Sequence, residues 1–289
     1  MTLLQRRKRL LPYLLLGPGF LWLLLFFAVP MYYMAKVSLQ SGTIDTGYQF
    51  TWELSNYSNA ISTYSEQFVR SFEYAGLATL LSLLIGYPLA YTIAFRGGRW
   101  RNALLLAVVL PFFVTYLIRT LSWQTILDDG GWVVGTLKFF HLIPQDGRVL
   151  ATTGAVVAGI TYNFLPFMIL PLYASLERID HRLLEAAYDL YGRRRHVFLR
   201  VTLPLSMPGV VAGVLLTFIP AAGDFVNAQL LGTPRQFMIG NVIQSRYLAV
   251  ADYPTAASLS FLLMALILVM VLAWAKFAGT ESLMGAEAR

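Results

Sequence analysis

Residues 149–176, VLATTGAVVAGITYNFLPFMILPLYASL, run for 28 positions between Arg148 and Glu177 without one charged side chain. A helix needs about 20 apolar residues to cross about 30 Å of hydrocarbon, so this stretch is long enough to span a bilayer. Five further charge-free runs accompany it, at 11–35, 74–95, 102–118, 201–223 and 253–275. Only 102–118 is short, and its apolar pattern resumes after Arg119 as far as Leu127. The whole chain is 57% hydrophobic and 13% charged, whereas soluble domains average about 45–50% and about 25%. These runs predict an all-α membrane protein with six transmembrane helices, at about 11–35, 74–95, 102–127, 149–176, 204–226 and 253–275. A cytoplasmic loop at about 177–203 joins the fourth to the fifth. Six spans leave no room for a separate soluble domain of about 100–150 residues, so 1–289 reads as one transmembrane domain.

Charge sets the orientation. Arg6-Arg7-Lys8-Arg9 precede the first run, which is too long for the 7–15-residue apolar core of a signal peptide and lacks a small-x-small cleavage site at Pro30-Met31-Tyr32. An uncleaved first span with a cytoplasmic N-terminus follows, and six spans return the C-terminus to the same side. The inner segments 1–10, 96–102, 177–200 and 276–289 then hold fifteen of the 22 Lys and Arg. That is the bias expected of cytoplasmic loops. The outer segments hold eight of the fifteen acids. A pI near 9.6 therefore follows from topology and gives no reason to invoke nucleic acid. The lipid bilayer is the first partner, and a multi-pass place in a bacterial inner membrane is the expected location.

Several chemistries are excluded. With no cysteine there is no disulfide, thiolate ligand or Cys nucleophile. His141, His181 and His196 are scattered without HExxH spacing, so no metal site and no catalytic set is expected. No G-x-x-x-x-G-K-[ST] loop is present, so the chain carries no nucleotide cofactor and any ATP-driven step belongs to a partner. Prolines lie in or beside the spans at Pro18, Pro30, Pro88, Pro111, Pro166, Pro171 and Pro220. Each removes a backbone donor and tends to kink a helix, which favours a bundle that moves over a rigid anchor. The outer loop 37–69 is polar with Trp52 and Tyr57 suited to the interface, and Asp128-Asp129-Gly130-Gly131 signals a turn.

The loop between spans four and five reads ERIDHRLLEAAYDLYGRRRHVFLRVTLP from Glu177 to Pro204. Asp180 suits an N-cap because its carboxylate accepts from free helix amides. Leu183, Leu184, Ala187 and Leu190 recur at helical spacing as one apolar stripe. Gly192 suits a left-handed ending. The segment is thus a short amphipathic helix, either lying on lipid or docking a neighbour. Small Ala186 and Ala187 permit close approach, and Glu185 offers charge to a partner's Arg or Lys.

Glu185-Ala186-Ala187, the glycine soon after, and Leu203-Pro204 resemble the EAA loop of permease subunits of binding-protein-dependent ABC importers. Pro204-Leu205-Ser206-Met207-Pro208-Gly209, Phe218-Ile219-Pro220-Ala221-Ala222-Gly223-Asp224-Phe225, Leu231-Gly232 and Ile239-Gly240-Asn241-Val242-Ile243-Gln244 resemble the spermidine/putrescine branch. The resemblance implies a type I ABC importer permease fold and a coupling helix seated in an ATPase groove. It also implies a second homologous permease, two ATPase subunits that bind ATP and magnesium, and an extracytoplasmic substrate-binding protein. Coupling to the ATPase falls to Glu185, Ala186, Ala187, Tyr191, Gly192 and Pro204. Tyr191 stands where the family places glycine, and Gly192 comes one residue later.

A polyamine needs carboxylates for its ammonium groups and aromatic faces for cation–π contact. Candidates for the path are Asp224 near the outer end of span five, Asn227 three residues on, Tyr162 and Asn163 mid-span four, and Tyr116 and Trp123 in span three. An ionisable residue at membrane depth is a functional candidate; the alternatives are an interfacial Asp224 paired with Arg119 or Arg246, and an Asn163 that bridges helices. Arg119 would repel a cation, so it is expected paired or off the path. The alternatives are an importer of another small solute, a polytopic enzyme, and a nucleotide-independent carrier. No catalytic set supports the enzyme, and no filter or inverted repeat supports the carrier.

Overall fold

The computed structural model describes residues 15–278. Their regular structure is helical apart from one hairpin, in which β1 (Gln40–Thr43) pairs antiparallel with β2 (Gly47–Phe50). The helices are α1 (Leu15–Ser38), α2 (Ser55–Arg96), α3 (Arg101–Val109), α4 (Tyr116–Leu127), α5 (Trp132–Phe139) and α6 (Thr153–Glu177). There follow α7 (His181–Tyr191), α8 (Arg194–Ala222), α9 (Val226–Leu231), α10 (Ile239–Leu248) and α11 (Tyr253–Ala278). Among the described residues five helices are long and apolar enough to cross a membrane, or up to six if one bent pair counts as a single crossing. Arg6, Arg7, Lys8 and Arg9 and the segment from 279 onward lie outside the described residues.

Three expected boundaries shift for identifiable reasons. The helix expected over 74–95 begins at Ser55 and kinks at Tyr64 (φ −117°, ψ 18°), because polar residues 55–73 continue the helix beyond the apolar run. The stretch expected as one span over 102–127 is bent by 94°. Pro111 lies in a 3-10 turn, and Val114 and Thr115 are extended (ψ 135° and 146°), so the helical hydrogen-bond ladder stops there. Span five ends at Ala222, not 226, with Gly223 as its cap.

Two π turns, Leu24–Ala28 and Phe198–Thr202, each end two residues before a proline, Pro30 and Pro204. A proline ring crowds the carbonyl four residues earlier and cannot donate to it, and a widened turn relieves both faults without ending the helix.

The chain divides into two compact units. One comprises residues up to 63 with 243–262. In it Asn56 donates to the carbonyls of Ser38 and Gln40 (3.0 and 2.9 Å), and the Ser38 and Tyr57 hydroxyls share a bond of 2.7 Å. Tyr57 is thereby an internal tie. The other unit comprises 64–242 with the residues from 263. Its centre is the pair α6 and α8, where glycines permit close approach. A Cβ on Gly209 would lie 2.7 Å from the carbonyl oxygen of Pro171, and one on Gly213 would lie 2.7 Å from Met168 Sδ. Gly209 and Gly213 have the small-xxx-small spacing that lets membrane helices touch backbone to backbone. Met168, Ile169, Leu172 and Leu176 of α6 fill this contact, each 2% exposed or less. Tyr87 of α2 and Ser206 of α8 share a buried hydrogen bond of 2.7 Å. Arg101, at the start of α3, pairs with Glu177 and lies 5.1 Å from the Tyr173 ring centroid, tying α3 to the end of α6.

Candidate functional site

Two groups of residues fall in the second unit, one at each end of α8. At its first end, α7 is capped by Asp180, whose Oδ1 accepts from the Arg182 amide at 2.9 Å. The helix stops at Gly192 (φ 64°), whose amide donates to the Tyr188 carbonyl at 2.8 Å. That φ is cheap for glycine and costly for a residue with a Cβ.

The expected single apolar stripe of α7 divides in two. Ala187 is 4% exposed and Leu184 is half-buried against the core that includes Leu176 and Val210. Leu183 is 52% exposed and Leu190 80% exposed. Leu183 and Leu190, seven residues apart, share a face on the Ala187 side of the buried arc and stand outward from it. Glu185, Ala186 and Gly192 are exposed. Ala187 is thus packed beneath α7, and of the two alanines only Ala186 presents its side chain outward. The side chain of Tyr191 lies outside the described residues. Pro204 is exposed and lines a groove with Asp180, Leu183, Pro208 and Gly209.

At the far end of α8, four of the expected path residues come together. Asp224 follows the Gly223 cap, and its Oδ1 accepts from the amides of Val226 and Asn227 (2.9 and 3.4 Å), which starts α9. Its Oδ2 accepts from Tyr116 Oη at 2.8 Å and from Asn227 Nδ2 at 2.5 Å. Asn227 Nδ2 also lies 2.6 Å from Tyr116 Oη. Asn163 Nδ2 donates to Asn227 Oδ1 and to Thr120 Oγ1, each at 3.2 Å. Asp224, Asn227 and Asn163 are 7%, 0% and 1% exposed. The cluster thus links α4, α6 and α9 through one carboxylate. A Cβ on Gly159 of α6 would meet Asn227 Oδ1 at 2.6 Å, so this glycine makes the room Asn227 occupies.

The expected pairing of Asp224 with Arg119 is not found among the described residues. Arg246 pairs with Asp252 at 3.6 Å. Arg119, 8% exposed, has its Cζ 5.2 Å from the Phe112 ring and 5.8 Å from the Tyr116 ring, and its Nε and Nη1 make no hydrogen bond. Aromatic faces thus hold the cation that the sequence suggested would be paired. Tyr162 and Trp123 stand apart from the carboxylate, in ring contact with each other at 5.3 Å. Sequence reading missed Thr120, although it stands one helical turn from Tyr116 and so shares its face.

Residues 82–278 match the family described as binding-protein-dependent transport system inner membrane component. The chain is 38% identical over 253 residues to the spermidine/putrescine transport system permease protein PotB of Haemophilus influenzae, covering 87% of this chain and 88% of that one. It is 34% identical over 254 residues to PotB of Escherichia coli, covering 88% and 92%. The inner membrane ABC transporter permease protein YdcU of Escherichia coli is 35% identical over 224 residues, covering 73% and 71%. Among solved structures, a chain of a bacterial ABC transporter that imports the acidic polysaccharide alginate superposes with a TM-score of 0.69 at 22% identity. It covers 96% of this chain and 98% of that one. A chain of the inward-facing MetNI methionine ABC transporter superposes with a TM-score of 0.55 at 16% identity, covering 74% and 94%. The helical membrane architecture is that of a type I ABC permease, and the chain belongs to the binding-protein-dependent transport system inner membrane component family.

Proposed function

We propose that this chain is the polyamine-translocating permease subunit of an ATP-driven importer, with spermidine or putrescine as solute. It works beside a second homologous permease, two ATPase subunits holding ATP and magnesium, and an extracytoplasmic binding protein. In this reading six spans leave both termini cytoplasmic, and the chain itself performs no catalysis. The observation that carries the coupling role is the exposed face of α7. Glu185, Ala186, Leu183 and Leu190 stand outward while Ala187 and Leu184 anchor the helix to the spans. An outward leucine 80% exposed beside an outward carboxylate is suited to burial under a neighbouring protein, which then draws α7 and the spans together.

The polyamine reading is supported by identity of 34–38% to permeases named for spermidine and putrescine. The Asp224 cluster supplies compatible chemistry. All hydrogen-bond acceptors on Asp224 are occupied by the chain's own donors, so a passing ammonium gains the carboxylate only by displacing Tyr116 or Asn227. Such exchange keeps binding transient, as translocation needs. The test is the reconstituted complex with its binding protein: spermidine or putrescine should raise ATP hydrolysis, and Glu185→Lys should leave hydrolysis but lose uptake. Unchanged uptake in that variant refutes the coupling assignment, and stimulation only by unrelated solutes refutes the polyamine assignment.

A further inference from the structure

A cavity of about 770 Å³ lies behind α7, lined by Tyr91, Phe95, Arg96, Tyr188, Gly192, Arg194, Arg195, Phe198 and Thr202. Its size falls within the about 300–1,000 Å³ usual for small-molecule sites. Its chemistry is one-sided. Among the described residues three guanidinium groups line it, and no carboxylate does. Among the described residues Arg96, Arg194 and Arg195 form no ion pair, in contrast to Arg70, Arg101, Arg148 and Arg246, which each have one. They come from separate parts of the chain: Arg96 from the last turn of α2, Arg194 and Arg195 from the first turn of α8.

The remaining wall supplies hydroxyls and rings. Tyr91, Tyr188 and Thr202 bring hydroxyl groups. Tyr91, Phe95 and Phe198 form an aromatic floor with centroid separations of 4.8 Å (Tyr91 to Phe95) and 6.1 Å (Tyr91 to Phe198). Glu185 and Asp189 share α7 with Tyr188 but do not line the cavity. A convergent set of arginines with hydroxyl donors is what a tetrahedral oxyanion requires, since each guanidinium presents forked donors matched to phosphate oxygens. An apolar, aromatic floor beneath the charges suits a ligand with a greasy part below its charged head.

We propose that this cavity binds a phosphate-bearing ligand, and that its source is the headgroup of an anionic phospholipid in the leaflet on the α7 side. Assigning that leaflet to the cytoplasmic face rests on the orientation proposed above; the phosphate chemistry does not. The ligand bridges the end of α2 to the start of α8. It holds the α7 lever to the spans and makes coupling depend on lipid charge.

The test uses the whole transporter, delipidated and returned to nanodiscs of phosphatidylcholine with or without phosphatidylglycerol, with bound lipid read by native mass spectrometry. The variant is the triple substitution Arg96→Gln, Arg194→Gln, Arg195→Gln. A control removes the same charge at Arg99, Arg178 and Arg182, none of which lines the cavity. Phosphatidylglycerol should be retained by the unmodified complex and lost on the order of a hundredfold in the cavity variant, since each arginine near an anionic surface is worth roughly fivefold. The control should retain it. If the triple variant does not assemble, Arg195→Gln alone should show a roughly fivefold loss.

Inorganic phosphate is the second arm. Displacement of lipid by millimolar phosphate, or saturable binding of phosphate alone, keeps the phosphate site but assigns it a soluble ligand. Equal loss in both variants would refute the site in favour of general surface attraction. So would unchanged lipid retention with loss of the ATPase subunits, which would give these arginines to the neighbouring protein. Glu185→Lys should retain lipid normally, so failure of the coupling assignment and failure of this one remain separable.

Discussion

Replacing Gly209 with alanine tests whether backbone contact between α6 and α8 sets the stability of the translocation unit. The new Cβ would sit 2.7 Å from the Pro171 carbonyl oxygen, 3.1 Å from Leu172 Cα and 2.5 Å from Ser175 Cβ. Two of those atoms belong to the backbone, so relief requires the helices to part. At Gly213 the nearest atom is Met168 Sδ at 2.7 Å, the movable end of a flexible side chain, with backbone no nearer than 3.2 Å. At Gly76 nothing lies within 4 Å. Overpacking costs about 1–3 kcal/mol, and alanine recovers about 0.5–1 kcal/mol in a helix interior. Gly209→Ala should therefore lose about 2 kcal/mol net, at the upper end of that range, and Gly213→Ala should be near neutral. Gly76→Ala should gain about 0.5–1 kcal/mol. At roughly 2–4 °C per kcal/mol, thermal unfolding of the purified complex should fall by about 4–8 °C for Gly209→Ala, shift little for Gly213→Ala, and rise slightly for Gly76→Ala. Equal shifts for Gly209 and Gly76 would refute the argument, because they would show that helix propensity and not contact decides the outcome.

Other substitutions probe the two ends of α8. Asn227→Ala should destabilise more than Asn163→Ala in unfolding by SDS titration. Asn227 bonds to Asp224, Tyr116 and Asn163, and each interhelical bond is worth about 0.6 kcal/mol on average. Gly192→Val should speed proteolytic cleavage at Arg193–Arg195, since φ 64° is strained for a β-branched residue. Ser206→Ala and Tyr87→Phe should each cost about 0.6 kcal/mol, and the double variant no more than either one, because both remove the same bond.

The sequence made the helical spans legible because lipid demands long charge-free runs, and residues 149–176 map closely onto α6. Asp180 and Gly192 were legible because capping and left-handed turns are local chemistry. What escaped was tertiary. The polar start of α2 at Ser55 carries no apolar signal, so the helix was expected some nineteen residues late. The bend at Val114 and Thr115 leaves no mark beyond Pro111, a residue equally at home in a kinked but continuous span. Which leucines of α7 turn outward is decided by where Leu176 and Val210 stand, and periodicity sees only that apolar residues recur. Asp224, Asn227 and Asn163 were identifiable as polar residues at membrane depth. Their mutual bonds, and Thr120 among them, depend on how α4 and α9 meet α6.

The helix Arg194–Ala222 is unbroken over 29 residues, about 43 Å at 1.5 Å per residue. Two of the unpaired arginines stand at its first turn, and Asp224 stands two residues beyond its last. A helix of that length, widened at the π turn Phe198–Thr202, carries displacement of one end toward the other. Whatever occupies the arginine end and whatever leans on the carboxylate end therefore act on the pose of one continuous helix.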